Sequence, residues 1–449
     1  MLTIKQYHVL WFFSVLLMFL IVHATNYRID YLLEWSIEQI TQSEFLERSL
    51  FNNFFNVLEP NQYKSTLIFQ VINPFKSLFT LSLLTICFPI FKEIKSHLKA
   101  NQYIEQPILK KLTISSLLAL FILSIFIMPL NGITLTGYLQ MSIDPYAETA
   151  WSSVELKRFL LPFLGHIFLL KGEILYFLLH IVCIFSLIFL IQIWFLRNDV
   201  NLKFYQLISL LTSSFIMHQF QVVGNPEVLV FIIWLLCISF PFSDISKLSL
   251  LVMALLAHEA SLFISPILSL FIFDKKRSVI SFYIVCIVYL VFWIVAHGLN
   301  IGNALNSHNV GGLNALQWLV RYPERELLGL FFSYKALWIL IITALIILFR
   351  TNQFRVAIQI ILLLSGSLIM TLAGVDTARL MGWSFIAILL SIKTIYAANS
   401  YIPRKFIHTV CIVNILIPSL YVGLNTGGMY YFPGLYNLLT NSILTVLSL

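Results

Sequence analysis

Of 449 residues, 59% are hydrophobic and 11% are charged, against about 45–50% and about 25% in soluble domains. Too few polar groups exist to cover a water-facing surface, which excludes a soluble enzyme, a disordered chain and a nucleic-acid binder. The formal charge of +8 therefore has to be read against a lipid bilayer, in a chain whose apolar runs are continuous rather than alternating as in a transmembrane barrel.

Apolar runs occur near 9–24, 75–91, 112–130, 173–196, 204–219, 227–242, 248–273, 279–298, 328–349, 356–373, 380–397 and 406–423. They suit a hydrocarbon core about 30 Å thick. The first run follows Lys5 and ends in Val22-His23-Ala24, a sequence that could be cleaved as a signal peptide. We expect an uncleaved first span, with Asn26 onward emerging outside in either case. Thr25–Pro74 holds Leu32, Leu33, Trp35, Ile37 and Ile40 at helical spacing, which predicts amphipathic helices on the outer surface. The Lys-rich stretch 92–111 is an inner loop. Asn131–Lys157 is small and polar, and 159–170 is too short to cross, so it is expected to be re-entrant or interfacial. The run 248–273 carries His258, Glu259 and Pro266 in its middle. Two limbs turning near His258–Pro266 keep that polar turn outside and Asp274-Lys275-Lys276-Arg277 inside. Leu299–Glu326 contains Gly311-Gly312 and the turn Arg321-Tyr322-Pro323-Glu324-Arg325-Glu326.

The expected fold is an all-α polytopic membrane protein of about 13 spans (11–14 by this count) with its N-terminus inside. It divides into an N-terminal hairpin with an outer loop (1–110), a transmembrane core (111–424) and an outer tail (425–449). With these spans, 17 of the 28 Lys and Arg fall inside and 15 of the 20 acids outside, the positive-inside arrangement. The net charge then reflects topology and needs no acidic partner. Cys87, Cys183, Cys237, Cys286 and Cys411 each lie in an apolar run and read as free thiols acting as small hydrophobes.

Charged groups at membrane depth are costly and mark functional sites. Here they gather at outer ends: Asp30 after the first span; Asp144-Pro145-Tyr146-Ala147-Glu148, then Glu155, Lys157 and Arg158; Asn225-Pro226-Glu227; His258-Glu259; and Asp376-Thr377-Ala378-Arg379. Arginine grips phosphate through two parallel N–H bonds, and a carboxylate can act as general base toward a hydroxyl. Each group also has a plain reading as a cap, a solvated acid or a local ion pair. His258-Glu259 does not complete H-E-x-x-H, because residue 262 is Leu. No nucleotide-binding glycine loop or nucleophile elbow occurs. His97, His166, His218, His297 and His308 are scattered singly and are expected to pack. Outer carboxylates could hold Mg²⁺ or Mn²⁺, but no spacing demands a metal.

The stretch Ser142-Ile143-Asp144-Pro145-Tyr146 through Glu155-Leu156-Lys157-Arg158-Phe159-Leu160-Leu161-Pro162, with the turns at Gly224–Glu227, His258-Glu259 with Pro266, and Asp376 with Arg379, resembles the C-type glycosyltransferase (GT-C) superfamily. The likeness is architectural and covers roughly 111–400. It implies a multi-pass enzyme of a bacterial plasma membrane, with its active face outward. That enzyme would transfer a sugar from a polyprenyl-phosphate-linked donor to a cell-envelope glycan or lipid acceptor. Asp144, or Asp30 if the core begins at Met1, would deprotonate the acceptor hydroxyl. Arg158 and Arg379 would hold the donor phosphate. His258 and Glu259 would orient sugar or phosphate, with Glu148, Asn225, Glu227 and Asp376 lining the site. The rivals are an envelope polysaccharide polymerase or ligase, to which Arg321 and Arg325 would contribute, a lipid-linked substrate transporter or flippase, and a membrane scaffold.

Overall fold

A computed structural model describes residues 90, 93, 106–127, 136–143, 158, 160–296, 320–321, 323–373, 376–398, 403–422 and 429–431. The expected first span, the outer segment 25–74, Asp30, Asp144, Glu148 and most of the tail lie outside the described residues. In chain order the helices are α1 (Gln106–Ile122, continued by a π turn Leu123–Ile127), α2 (Thr136–Ile143), α3 (Leu160–Ile167), α4 (Gly172–Arg197), α5 (Phe204–Leu211), α6 (Ser214–Gln221), α7 (Glu227–Ser239), α8 (Asp244–Ala257), α9 (Ser261–Ile272) and α10 (Lys276–Ala296). They continue as α11 (Pro323–Tyr334), α12 (Leu337–Arg350), α13 (Phe354–Ala373), α14 (Thr377–Gly382), α15 (Phe385–Ala397) and α16 (Arg404–Leu416). A two-stranded antiparallel ribbon, β1 (Leu420–Val422) on β2 (Met429–Tyr431), follows. Apart from this short ribbon the regular structure of the described residues is helical, as expected.

Among the described residues three helices are long and apolar enough to cross a membrane, within Gln106–Ile125, Gly172–Arg197 and Phe354–Thr371. A fourth crossing results if Glu326–Tyr334 and Leu337–Arg350, bent by 79°, act as one broken span. Several apolar runs that read as continuous are in fact interrupted. The run 204–219 breaks at Thr212-Ser213, 328–349 at Lys335-Ala336, and 380–397 at Trp383-Ser384. The run 248–273 turns at His258-Glu259-Ala260 as expected, but Pro266 sits inside α9 rather than in the turn. Proline starts or precedes helices where its missing N–H costs nothing, as at Pro226, Pro323 and Pro403. The Ser243 hydroxyl caps α8, accepting from Ser246 N at 3.4 Å.

Helix α4 forms the central post, packed against α1, α7 and α2. Side chains are apolar on both faces of the outer helices. On α10, Ile280, Ile284, Ile287 and Val288 expose more than half of their surface, the pattern of a helix bathed in lipid. The segment 160–167 lies within the protein core, with Leu160, Leu161, Pro162 and Phe163 buried, and α3 packs on α2. Close approach is required at Gly382, where a Cβ would stand 2.9 Å from Phe215 N and 2.6 Å from Ser214 Oγ. Cys183, Cys237, Cys286 and Cys411 are free and buried.

The helices share two ends. Arg197 at the end of α4 donates to Ser239 O at the end of α7. Asp244 at the start of α8 accepts from Asp274 N, Lys275 N and Ser278 Oγ beyond α9. Lys247 donates to Ile272 O, and Tyr396 donates to Gln206 at the start of α5. Arg197, Lys203 and Lys247 lie at this end, with Lys275, Lys276 and Arg277 just beyond α9. The start of α7, the α8–α9 turn and the start of α14 therefore lie together at the opposite end.

Candidate functional site

At that opposite end, charged groups from four separate stretches of chain meet. Arg158, just before α3, faces Glu259 in the α8–α9 turn. Its Nε lies 3.0 and 2.8 Å from the two Glu259 carboxylate oxygens, Nη2 also bonds Oε1, and Nη1 donates to Tyr138 Oη at 3.1 Å. This fork-on-carboxylate pairing is the strong geometry for a guanidinium. The two side chains are only 12% and 13% exposed. Burial works against ionisation of Glu259, yet the Arg158 charge, His258 and the hydrogen bonds outweigh it and hold the carboxyl well below its usual range.

His258 and Glu259 lie in the turn, outside both helices. His258 Nδ1 accepts from Ala260 N at 3.1 Å, so the neutral ring carries its proton on Nε2. That nitrogen faces Glu227 Oε1 at 3.6 Å. Glu227 stands in the first turn of α7, where a helix N-terminus favours an anion. Its Oε2 accepts from Gln219 at 3.1 Å, and its own N–H donates to Asn225 Oδ1 at 3.4 Å. Glu227 Oε1 also lies 3.5 Å from Arg379 Nε, and Arg379 Nη1 lies 3.2 Å from Asp376 Oδ2. The result is a chain Arg158, Glu259, His258, Glu227, Arg379, Asp376. Glu227 is 1% exposed, whereas Arg379 and Asp376 are 21% and 18% exposed, so the chain opens to its surroundings at the Arg379 end.

Neutral polar groups hold this chain in place. Asn225 Nδ2 approaches His218 Nε2 at 3.2 Å, His180 Nε2 approaches Gln219 O at 3.0 Å, and Tyr176 donates to Gly224 O at 3.0 Å. Gly224 has φ +91, a conformation that suits glycine. Beneath lie Trp383, 5.0 Å from the His258 ring, and the packed rings of Phe215, Phe231, Trp234 and Phe385. Thr377 bonds Glu326 of α11, and Tyr334 bonds Met381 O, so both ends of the short helix carrying Arg379 are fastened.

Burial, with the Arg158 charge beside it, lowers the His258 pKa to about 3 despite the nearby carboxylates. The folded ring stays neutral where an unfolded histidine, near 6.5, takes a proton. Its contribution to stability is therefore full above pH 6.5 and is lost as pH falls toward 3. The loss is on the order of 2 kcal/mol by pH 5. A lower thermal midpoint at pH 5 than at pH 7, with a flatter dependence in His258→Gln, is the expected result.

The structure brings together Arg158, Asn225, Glu227, His258, Glu259, Asp376 and Arg379 from the expected site. Asp30, Asp144 and Glu148 fall outside the described residues. Asp376 and Arg379 form the local pair that their spacing allows, but Arg379 also reaches Glu227. His218, expected to pack singly, belongs to the network, while His166 is fixed to Ile143 O at 2.9 Å. Sequence reasoning passed over Tyr138, His180, Gln219, Glu326 and Trp383. The run His218-Gln219, Gln221 and Asn225-Pro226-Glu227 carried a signal, because it piles polar groups onto one helix junction. Among the described residues no three His, Cys, Asp or Glu converge as a metal site. Compared with protein-family models, curated proteins and solved structures, the chain matches none.

Proposed function

We propose that this chain is an integral membrane glycosyltransferase of about 13 spans. It takes a sugar from a polyprenyl-phosphate-linked donor and passes it to a cell-envelope glycan or lipid acceptor. The observation that carries this reading is the convergence of Arg379, Asp376, Glu227, His258, Glu259 and Arg158 at the end of the helices opposite the cationic one. With the cationic end toward the cytoplasm, the network faces outward. Arg158 is committed to Glu259 and Tyr138, so its role is to position the turn. Arg379, at the exposed end, is the group that meets the donor phosphate. The acceptor hydroxyl would lose its proton to Asp144 or Asp30.

A transporter or flippase is the second reading, favoured by the interrupted helices around Lys335. The test is mass spectrometry of surface glycans and lipid-linked sugars from the native host, with and without the chain and with Asp144→Asn and Asp30→Asn. The transferase predicts a missing glycan unit and accumulation of its lipid-linked donor at the outer face. A donor retained at the inner face supports the flippase, and an altered glycan length distribution supports a polymerase. Full activity in both Asn variants removes the base assignment.

A further inference from the structure

Away from this network, Lys335 is 1% exposed. It lies at the 79° break between α11 and α12. Its Nζ faces Thr212 Oγ1 at 3.1 Å, Ile417 O at 3.2 Å and Ser419 Oγ at 3.0 Å. No carboxylate forms an ion pair with it among the described residues. A buried charge without a counter-ion is costly unless other groups compensate, and here the compensation is specific. Thr212 closes α5, Ile417 closes α16, and Lys335 itself follows the last residue of α11. One of these helix ends thus offers the ammonium a carbonyl oxygen, where partial negative charge gathers, and another a hydroxyl oxygen.

The hydroxyls are also oriented. Thr212 Oγ1 gives its proton to Ser209 O at 2.7 Å, and Ser419 Oγ gives its own to Thr212 O at 3.0 Å. Only their lone pairs face Nζ. Asn414 braces the cluster, donating to Ser209 O and Thr212 Oγ1, and its buried Oδ1 has no hydrogen-bond partner among the described residues. Three oxygens face Nζ, and oxygen is the ligand atom that a hard cation takes. The backbone at Lys335 has φ 50, where glycine is the ordinary residue, so the position holds lysine against local preference.

We propose that these oxygens form a monovalent-cation site whose native occupant is the ammonium of Lys335, and that Na⁺ enters the cage once that ammonium is removed. The tethered cation joins the breaks after α5 and α11 to the end of α16, and it makes the fold independent of free monovalent ions. This inference does not rest on the transferase reading.

The test uses the full chain in detergent and follows thermal unfolding in NaCl and in choline chloride at equal ionic strength. Wild type is expected to unfold at one temperature in both. Lys335→Gly relieves the backbone but empties the cage. It is expected to unfold earlier in choline chloride and to recover saturably as NaCl replaces it. Lys335→Gln keeps N–H donors without charge, and it is expected to unfold below wild type and to ignore Na⁺. A Lys335→Gly protein that is unstable and equally insensitive to both salts overturns the proposal. So does Lys335→Gln unfolding with wild type, which decides the matter even if the glycine variant yields no folded protein.

Discussion

Glu259→Ala is expected to lose about 3–5 kcal/mol of stability, because it strands the buried Arg158 guanidinium without its partner. Removing one member of a buried ion pair costs more than removing both. Accordingly Arg158→Met with Glu259→Leu is expected to recover most of that loss. Equilibrium unfolding of the two single variants and the double variant in detergent measures the coupling. A double variant that is simply additive would show that Tyr138 and the turn backbone, and not the pair, hold Arg158. The expectation rests on geometry: the two carboxylate oxygens and the guanidinium edge meet face to face.

Arg379→Ala is expected to cut glycan transfer by about 10²–10³, the scale for loss of one group aimed at developing charge. It is also expected to lower the unfolding temperature, because Glu227, 1% exposed, loses the guanidinium beside it. Arg379→Lys is expected to restore little, because an ammonium cannot present the planar fork to Glu227, Asp376 and a phosphate together. Transfer of labelled sugar from host membranes, measured at donor saturation and below it, separates loss of donor binding from loss of turnover. Wild-type transfer by Arg379→Ala would remove Arg379 from the donor site.

Much of the site was legible because polar groups are scarce here. In a chain with 11% charged residues, Asn225, Glu227, His258, Glu259, Asp376 and Arg379 stand out where each apolar run ends. That they share one end of the helices is what their contacts show. What the sequence could not show is the pairing. Arg158 and Glu259 are 101 residues apart, and nothing local says that the guanidinium meets that carboxylate rather than a phosphate. The helix breaks were also hidden. Thr212-Ser213 and Lys335-Ala336 contain neither glycine nor proline, so the apolar run reads straight through them. Lys335 sits inside the apolar run 328–349 and is buried against oxygens that come from segments far away in the chain. His218 was set aside as a lone histidine for the same reason: Asn225 reaches it only after the chain turns at Gly224.

The broken helices bear on how the protein is made. Helices α5 and α6 have 8 residues each, and α11 and α12 have 12 and 14. A crossing needs about 20, so none of these halves can partition into the bilayer as a finished span. Among the described residues, Glu326–Tyr334 with Leu337–Arg350 is the pair apolar enough to cross as one broken span. The polar groups at the α5–α6 junction are answered from far along the chain: the Thr212 hydroxyl accepts from Lys335, 123 residues on, and the Thr212 carbonyl from Ser419, 207 residues on. The first break is therefore completed by segments made long after it.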